Sequence, residues 1–185
     1  MSLSHLAELS RLADRCSFEL AVPVERYRDL VRRTLKGGGK LMFAGNGGSA
    51  AHAQHVATEY VVRYQPRERP AAAAIALSTD SSLITAAGND LGYDQVFARQ
   101  VEALGRKGDL LVVISTSGGS PNLLKAVEAA RQREVAVVGL LGRDGGKLKQ
   151  LVDIAIVVPS DDTAHIQEIQ LAVDHHVCAL IEPEL

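Results

Sequence analysis

Apolar and polar residues along the chain alternate between helical periods and short unbroken apolar runs. Leucines at helical spacing over residues 3–12 and a second stripe over residues 27–35 predict N-terminal helices within residues 1–36. The glycines at 37–39 suit positive φ and are predicted to end the second helix. The apolar run at 41–44 is typical of a strand that is buried on both faces.

The same alternation continues to the end of the chain. Further apolar runs predict strands at residues 73–77, 110–114, 135–141 and 154–158. Helices are predicted at residues 49–64, in stretches of 82–104 interrupted around 89–92, at 121–133, briefly from 147, and at 163–181. We therefore predict an α/β fold, with a five-stranded parallel sheet flanked by helices in a flavodoxin-like three-layer sandwich. No linker divides residues 1–185, which predicts a single domain, and the pattern leaves the strand order open.

Composition excludes several classes of partner. The chain has 185 residues, with 20 Lys plus Arg against 22 Asp plus Glu and a formal net charge of −2. This balance provides no basic field for nucleic acid and no basic arm for a membrane surface. Aromatic residues make up 4% and Trp is absent, so base-stacking platforms would be hard to assemble. We therefore predict neither a nucleic-acid partner nor a membrane partner.

The cysteines and the first residues bear on cellular location. Cys16 and Cys178 lie near opposite ends of the chain, and their spacing matches no zinc knuckle or redox pair. We expect both to be small buried hydrophobes in a reducing compartment. Residues 1–8 lack the basic region and apolar run of a signal peptide, and no apolar stretch approaches the ~20 residues that span a bilayer. These observations predict a cytoplasmic protein.

A glycine-rich loop follows the first predicted strand. Residues 45–49 read Gly-Asn-Gly-Gly-Ser and directly precede a predicted helix, so their N–H groups could face an anion at the positive end of the helix dipole. The loop lacks the Lys-Ser/Thr ending of a nucleotide P-loop, and its spacing does not fit G-x-G-x-x-G. Taken alone, it fits an ordinary strand-to-helix turn equally well.

A second loop is rich in hydroxyl groups. Residues 115–120 read Ser-Thr-Ser-Gly-Gly-Ser, follow the strand at 110–114, and contain no Lys or Arg. Pro121 suits the first turn of the next helix. Neutral donors and backbone N–H groups at a helix N-terminus can hold a phosphomonoester. The alternative, capping of the helix by one Ser, would not need the other hydroxyls.

Two predicted helices carry side chains of metal-ligand type. His55 and Glu59 are four apart and share a helix face, although such pairs are often simply solvated. Gln167 and His175 are eight apart, which places them about 80° around the axis and ~12 Å along it. Either that helix bends, or the ligands converge across a subunit interface. Nitrogen and oxygen ligands of this kind suit zinc or another divalent metal. The remaining histidines nearby are expected to be surface or core residues, namely His52, His165 and His176.

Taken together, these motifs identify a family. In order, they are residues 45–49, Gln54-His55, Glu59, Arg63-Tyr64, Asn89-Asp90, residues 115–120, residues 166–168 and His175. The chain closely resembles the sedoheptulose-7-phosphate isomerases, or phosphoheptose isomerases, of the SIS (sugar isomerase) domain superfamily, from about residue 9 to 184. The Ser-Thr-Ser-Gly loop is shared by SIS domains generally and indicates only a sugar phosphate. The metal-type residues are more specific to the heptose enzymes.

The resemblance implies a homotetramer with a central helical bundle, in which residues 1–36 would lie, and active sites at subunit interfaces. It implies one Zn²⁺ per site, held by His55, Glu59, Gln167 and His175. The implied substrate-binding residues are Asn46, Gly47, Gly48, Ser49, Glu59, Arg63, Asn89, Asp90, Ser115, Thr116, Ser117, Ser120 and Gln167. Glu59 and His175 resemble the catalytic acid–base pair.

The implied reaction converts sedoheptulose 7-phosphate to D-glycero-D-manno-heptose 7-phosphate, the first step of ADP- or GDP-heptose biosynthesis. The chain departs from the family at three positions, with Gly119 in place of Asn, His165 in place of Arg, and Gln170 in place of His. The first should leave the phosphate loop intact, and the others bear on substrate positioning or subunit contacts. The alternative is a non-catalytic SIS paralogue that acts as a protein-binding scaffold, of the replication-initiator-associating type. A sugar-phosphate sensor is less favoured, because no helix-turn-helix segment fits in the N-terminal residues.

Overall fold

The computed structural model describes residues 4–65 and 68–185, so Leu3 of the first predicted stripe lies outside the described residues. The strands are β1 (Leu41–Gly45), β2 (Ala74–Ala76), β3 (Leu110–Ser115), β4 (Ala136–Gly142) and β5 (Ile154–Val158). The helices are α1 (Ser4–Glu19), α2 (Ala21–Lys36), α3 (Gly48–Val61), α4 (Ser81–Asp90), α5 (Ala98–Leu104), α6 (Pro121–Gln132) and α7 (Thr163–Ile181). The predicted α/β alternation is confirmed.

The strands form one five-stranded sheet in the order β2-β1-β3-β4-β5, in which every neighbouring pair is parallel. Strand β1 alternates between the two faces. Leu41 and Phe43 pack with α1, α2, α3 and α7, whereas Met42 and Ala44 pack with α4, α5 and α6. Helices therefore cover both faces, as the unbroken apolar run predicted.

The two N-terminal helices follow each other with Leu20 alone between them. The N–H of Leu20 donates to the Cys16 carbonyl at 3.0 Å, so the chain barely leaves helical geometry there. Helix α2 ends at the predicted glycines, where Gly38 has a φ of +75°. Both cysteines are buried and free, as expected, and burial raises the pKa of the Cys178 thiol well above its usual value. Among the described residues, no helix is both long enough and apolar enough to cross a membrane.

Some predicted boundaries differ from the structure. Strand β2 is shorter than predicted, the segment from Lys147 is a 3-10 turn, and the region predicted at 82–104 contains α4, a 3-10 turn at Tyr93–Gln95, and α5. Helix α3 ends before the predicted residue 64. The cause is Glu182, whose carboxylate accepts the N–H groups of Tyr64 and Gln65, each at 2.8 Å. Those N–H groups therefore do not extend the helix.

Candidate active site

The two predicted anion loops lie side by side. Strands β1 and β3 are parallel neighbours, with Gly45 opposite Ile114, so the loops that follow them leave the same edge of the sheet. The amides of Asn46 and Asn122 join the loops through two reciprocal hydrogen bonds of 2.9 and 2.8 Å. Tyr93 donates a third bond to Asn46 Oδ1, at 3.2 Å. The sequence did not single out Asn122 or Tyr93, because only the sheet order brings them to Asn46.

The first loop needs its glycines. A Cβ on Gly45 would lie 2.6 Å from the carbonyl oxygen of Ser49, so only a glycine allows the chain to turn this tightly into α3. Gly47 has a φ of +54° and precedes the helix without a side-chain cap. Within the described chain, the N–H groups of Gly47 and Gly48 donate to no protein acceptor. These two donors at the helix N-terminus suit an anion or a sugar hydroxyl.

The hydroxyl groups of the second loop have two different roles. Ser115 Oγ accepts the N–H of Gly118 at 3.0 Å, and Ser117 Oγ accepts the N–H of Gly119 at 3.3 Å, so these two side chains stabilise the turn. Ser120 is the residue that precedes α6, yet its side chain makes no capping hydrogen bond. The alternative of a simple N-cap is therefore wrong. The Ser120 hydroxyl remains available to a ligand.

Gly118 fixes the position of this loop. It has a φ of +63°, and a Cβ there would lie 2.0 Å from the carbonyl oxygen of Gly145 in the turn after β4. The Gly118 carbonyl also accepts the N–H of Leu148 at 2.9 Å. The hydroxyl-rich loop is thus braced by the connection between β4 and β5.

The metal-type side chains of α3 and α7 partly converge. His55 Nε2 lies 2.8 Å from His175 Nε2 and 3.4 Å from Glu59 Oε1. One ligand atom from each of the three residues lies within 4.8 Å of the others. Tyr64 packs against His175, with 5.5 Å between ring centroids. Burial, followed by the neighbouring His55, lowers the pKa of His175, which favours the neutral imidazole.

This group of side chains fits a divalent metal ion. Two imidazole nitrogens that face each other at 2.8 Å require a proton or a cation between them. Ligand atoms on one tetrahedral zinc lie about 3.3 Å apart, which the observed spacings approach within small side-chain movements. The predicted residues His55, Glu59 and His175 are therefore together, and they are able to hold a metal.

Gln167 lies elsewhere in the same chain. A Cβ on Gly48 would be 2.7 Å from Gln167 Nε2, so the amide reaches the first loop. Helix α7 is one uninterrupted α-helix from Thr163 to Ile181. Gln167 and His175 are thus separated by ~12 Å along α7. Within one chain the metal-type residues form a set of three, and Gln167 belongs with the loop at residues 45–49.

The other predicted residues surround these loops. Asn89 and Asp90 are the exposed last residues of α4, where Asn89 Nδ2 donates to Asp90 Oδ1 at 2.7 Å. The nearby Tyr93 ties this segment to Asn46. Arg63 is exposed and lies two residues after the end of α3. Gln170, one of the departures from the family pattern, is buried and donates to the Leu140 carbonyl at 2.9 Å.

A buried polar group lies beneath His175. Asp174 is fully buried, and its Oδ1 accepts a hydrogen bond from the Tyr27 hydroxyl at 2.8 Å. His52 Nε2 lies 2.7 Å from Asp174 Oδ2, close enough for an ion pair but outside hydrogen-bond alignment. The group joins α2, α3 and α7, so it fixes the helix that presents His175. Of the two alternatives expected for His52, a surface or a core residue, the structure shows a core histidine.

A second buried pair supports the end of α3. Arg69 donates to Glu182 Oε1 at 3.1 Å and to the carbonyl oxygens of Glu59 and Tyr60 at 2.6 and 2.8 Å. Burial acts to raise the pKa of Glu182, but the hydrogen bonds from Tyr64 N–H and Arg69 leave it below its usual value. Sequence patterns missed this pair because its members are 113 residues apart.

Comparison with known proteins identifies the family of this chain. The family model described as SIS domain matches residues 4–142. A phosphoheptose isomerase of Trichlorobacter lovleyi is 51% identical over 98% of this chain and 90% of its own length. A phosphoheptose isomerase structure from Francisella tularensis has a TM-score of 0.94 at 38% identity, covering 97% of this chain and 95% of that one. The corresponding structure from Neisseria gonorrhoeae has a TM-score of 0.91 at 43% identity, covering 97% and 96%. The chain therefore belongs to the phosphoheptose isomerase family of SIS domain proteins.

Proposed function

We propose that this protein is an aldose–ketose isomerase that converts sedoheptulose 7-phosphate to D-glycero-D-manno-heptose 7-phosphate, the first step of ADP- or GDP-heptose biosynthesis. The observation that carries the proposal is the convergence of His55, Glu59 and His175 in a chain with two anion-type loops at one sheet edge. A non-catalytic scaffold would have no need of this group of side chains. The relatives at about half identity, named phosphoheptose isomerase, favour the enzyme.

The substrate phosphate would bind at the hydroxyl-rich loop. Its donors would be the hydroxyls of Ser115, Thr116, Ser117 and Ser120 with the N–H groups at the start of α6. The sugar would contact Asn46, Gly47, Gly48, Ser49, Arg63, Asn89, Asp90 and Gln167. Because the phosphate lies several carbons from the carbonyl, its binding energy serves to position the reacting end. No basic residue is needed in the phosphate loop, in keeping with a net charge of −2.

Glu59 and His175 would move the protons. Isomerisation transfers a proton from C1 to C2 through a cis-enediol or enediolate, so a base is needed at carbon and an acid at oxygen. Glu59 would take the C1 proton and return it to C2. His175, neutral because its pKa is lowered, would carry the proton between the two oxygens and assist ring opening. Arg63 and Gln167 would orient the substrate.

We assign the metal site to His55, Glu59 and His175, with Gln167 as the fourth residue. A bound Zn²⁺ would supply positive charge beside the carbonyl oxygen and stabilise the developing negative charge. A carboxylate held by a metal is a weaker base, so Glu59 would loosen from it during turnover. Since Gln167 and His175 are ~12 Å apart along one uninterrupted helix, Gln167 would come from a neighbouring subunit.

The proposed assembly is a homotetramer with sites at the subunit interfaces. Helices α1, α2 and α7 form an apolar groove of about 540 Å³, lined by Cys16, Leu20, Val24, Ile169, Val173 and Leu180. Phe18 and Val22 beside it are 83% and 69% exposed, which is unusual for large apolar side chains unless a partner covers them.

We place the protein in the cytoplasm, where its two buried cysteines would stay reduced.

The decisive experiment compares the protein with its Glu59→Gln variant. Purified protein is incubated with sedoheptulose 7-phosphate, and formation of the aldose is followed by NMR. The variant should lose nearly all turnover while its circular dichroism is unchanged, and exposed Glu102→Gln serves as the matched control. Turnover by Glu59→Gln close to that of the control would refute the assignment, and no aldose from the unmodified protein would refute the activity.

A further inference from the structure

A second group of metal-type side chains lies at the junction of α1 and α7. His5 Nε2 is 2.9 and 3.2 Å from the two carboxylate oxygens of Glu168, and the rings of His5 and His165 are 4.2 Å apart between centroids and tilted by 32°. One ligand atom from each residue lies within 4.8 Å of the others. His165 is 5% exposed, whereas the side chains of His5 and Glu168 are 45% and 39% exposed.

This group is distinct from the group of His55, Glu59 and His175, although Gln167, the proposed fourth metal residue, lies between His165 and Glu168 on α7. His165 and Glu168 lie seven or more residues before His175, which corresponds to roughly 10–15 Å along α7. Its third member comes from α1, whereas the active-site group takes its other members from α3. The two groups share no residue. A metal ion bound at one would therefore not contact the ligands of the other.

The residue types and spacing suit a transition metal. His165 and Glu168 are three apart on α7, so they project from one helix face, and His5 approaches from a second helix. Two imidazoles and one carboxylate form a three-ligand set that zinc accepts, with solvent water completing the shell on the exposed side. The carboxylates of Asp162 and Glu8 also act on His5 and add negative charge around it.

We propose that His5, His165 and Glu168 bind one divalent transition metal ion, Zn²⁺ being the probe of choice, and that this ion fastens α1 to α7. The hydrogen bond between His5 and Glu168 is too exposed to hold the two helices strongly by itself, because solvent screens a surface pair of this kind. A metal ion shared by both helices links them through stronger bonds. The proposed site thus has a structural role, which is to hold α1 against α7.

The test counts the zinc that the full-length protein retains. Protein stripped with a chelator is loaded with Zn²⁺, passed through metal-free buffer, and its zinc is measured by mass spectrometry. His5→Gln should retain one zinc fewer per chain than the unmodified protein, and Glu168→Gln should do the same. His176→Gln, which alters an exposed histidine on the same α7, is the matched control and should retain as much as the unmodified protein.

Two outcomes separate this proposal from the proposed function. Isomerase turnover of His5→Gln should equal that of the unmodified protein, because His5 lies outside the active-site residues. A loss of one zinc per chain in His5→Gln supports the proposed metal site even if no isomerase activity is found. Equal zinc content in His5→Gln and the unmodified protein overturns it, whatever the activity.

Discussion

Substitution of Arg69 by Met should destabilise the protein strongly. The Arg69 side chain and its partner Glu182 are each only 3% exposed. The substitution leaves the Glu182 carboxylate buried with two backbone N–H partners and no cation. It also removes the Arg69 donors to the Glu59 and Tyr60 carbonyls at the end of α3, of which the Tyr60 carbonyl keeps a second donor, the N–H of Ala72 at 3.1 Å.

The expected loss follows from these contacts. Removing one member of a buried ion pair costs about 3–5 kcal/mol, because the remaining charge is uncompensated. In a protein of this size each kcal/mol corresponds to roughly 2–4 °C of melting temperature, so we expect a decrease of about 6–20 °C. Replacing Arg99, whose pair with Glu102 is exposed, should change the free energy of unfolding by less than about 1 kcal/mol.

The assay is chemical and thermal unfolding at one fixed protein concentration, because oligomer stability depends on concentration. Arg69→Met, Glu182→Gln and the double variant form a double-mutant cycle that isolates the coupling between the two side chains. The reasoning fails if Arg69→Met costs no more than Arg99→Met. It also fails if the two single substitutions are additive.

The pair should also give a signature in pH. The carboxyl group of Glu182 has a lowered pKa in the folded protein, so its contribution to stability is present at neutral pH. That contribution should be lost as the pH falls below the usual value of 4.5 and through the lowered folded pKa. The stability difference between the unmodified protein and Glu182→Gln should therefore shrink over that range. A difference that stays constant down to full protonation would contradict the assignment.

Further predictions concern the hydroxyl-rich loop at residues 115–120 and the buried Asp174. Gly118→Ala places a Cβ 2.0 Å from the Gly145 carbonyl oxygen at a residue with a positive φ. The substitution should therefore raise the KM for the sugar phosphate about tenfold or more, which corresponds to a loss of roughly 1.4 kcal/mol of binding free energy. Gly119→Ala meets nothing closer than 4.0 Å and is the control, and equal KM values would refute the reasoning. Tyr27→Phe removes the hydrogen bond to buried Asp174 and should cost about 1–3 kcal/mol in urea unfolding. A change within the error of the unfolding measurement would show that Asp174 does not need this donor.

Much of the fold could be predicted from local patterns. Strands β1 and β3 are continuous apolar runs because both faces are covered, and the glycines at 37–39 end α2 as their conformational freedom suggested. The end of α3 could not be predicted this way. It depends on Glu182, which lies 118 residues beyond Tyr64. The strand order could not be predicted either. It depends on which strands pair with each other, and local hydrophobic periodicity does not determine strand pairing.

The site was predictable where chemistry is concentrated in short motifs. The two loops and the His55–Glu59 spacing were visible in the sequence, and the structure brings His175 to His55 and Glu59. Asn122 and Tyr93 were not visible, because single amide and phenol side chains have no distinctive pattern until the sheet brings them to Asn46. Residues with a supporting role are found only when their neighbours are known.

The contact between Tyr27 and Asp174 spans 147 residues of sequence. Helices α1 and α2 are synthesised before α7, yet a large part of the surface they pack against belongs to α7. Their apolar faces therefore stay uncovered until α7 has been made. Contacts of such long separation slow folding, because the loop must close before they stabilise anything. Docking of α1 and α2 onto α7, and not formation of any single helix, should therefore limit the rate of folding.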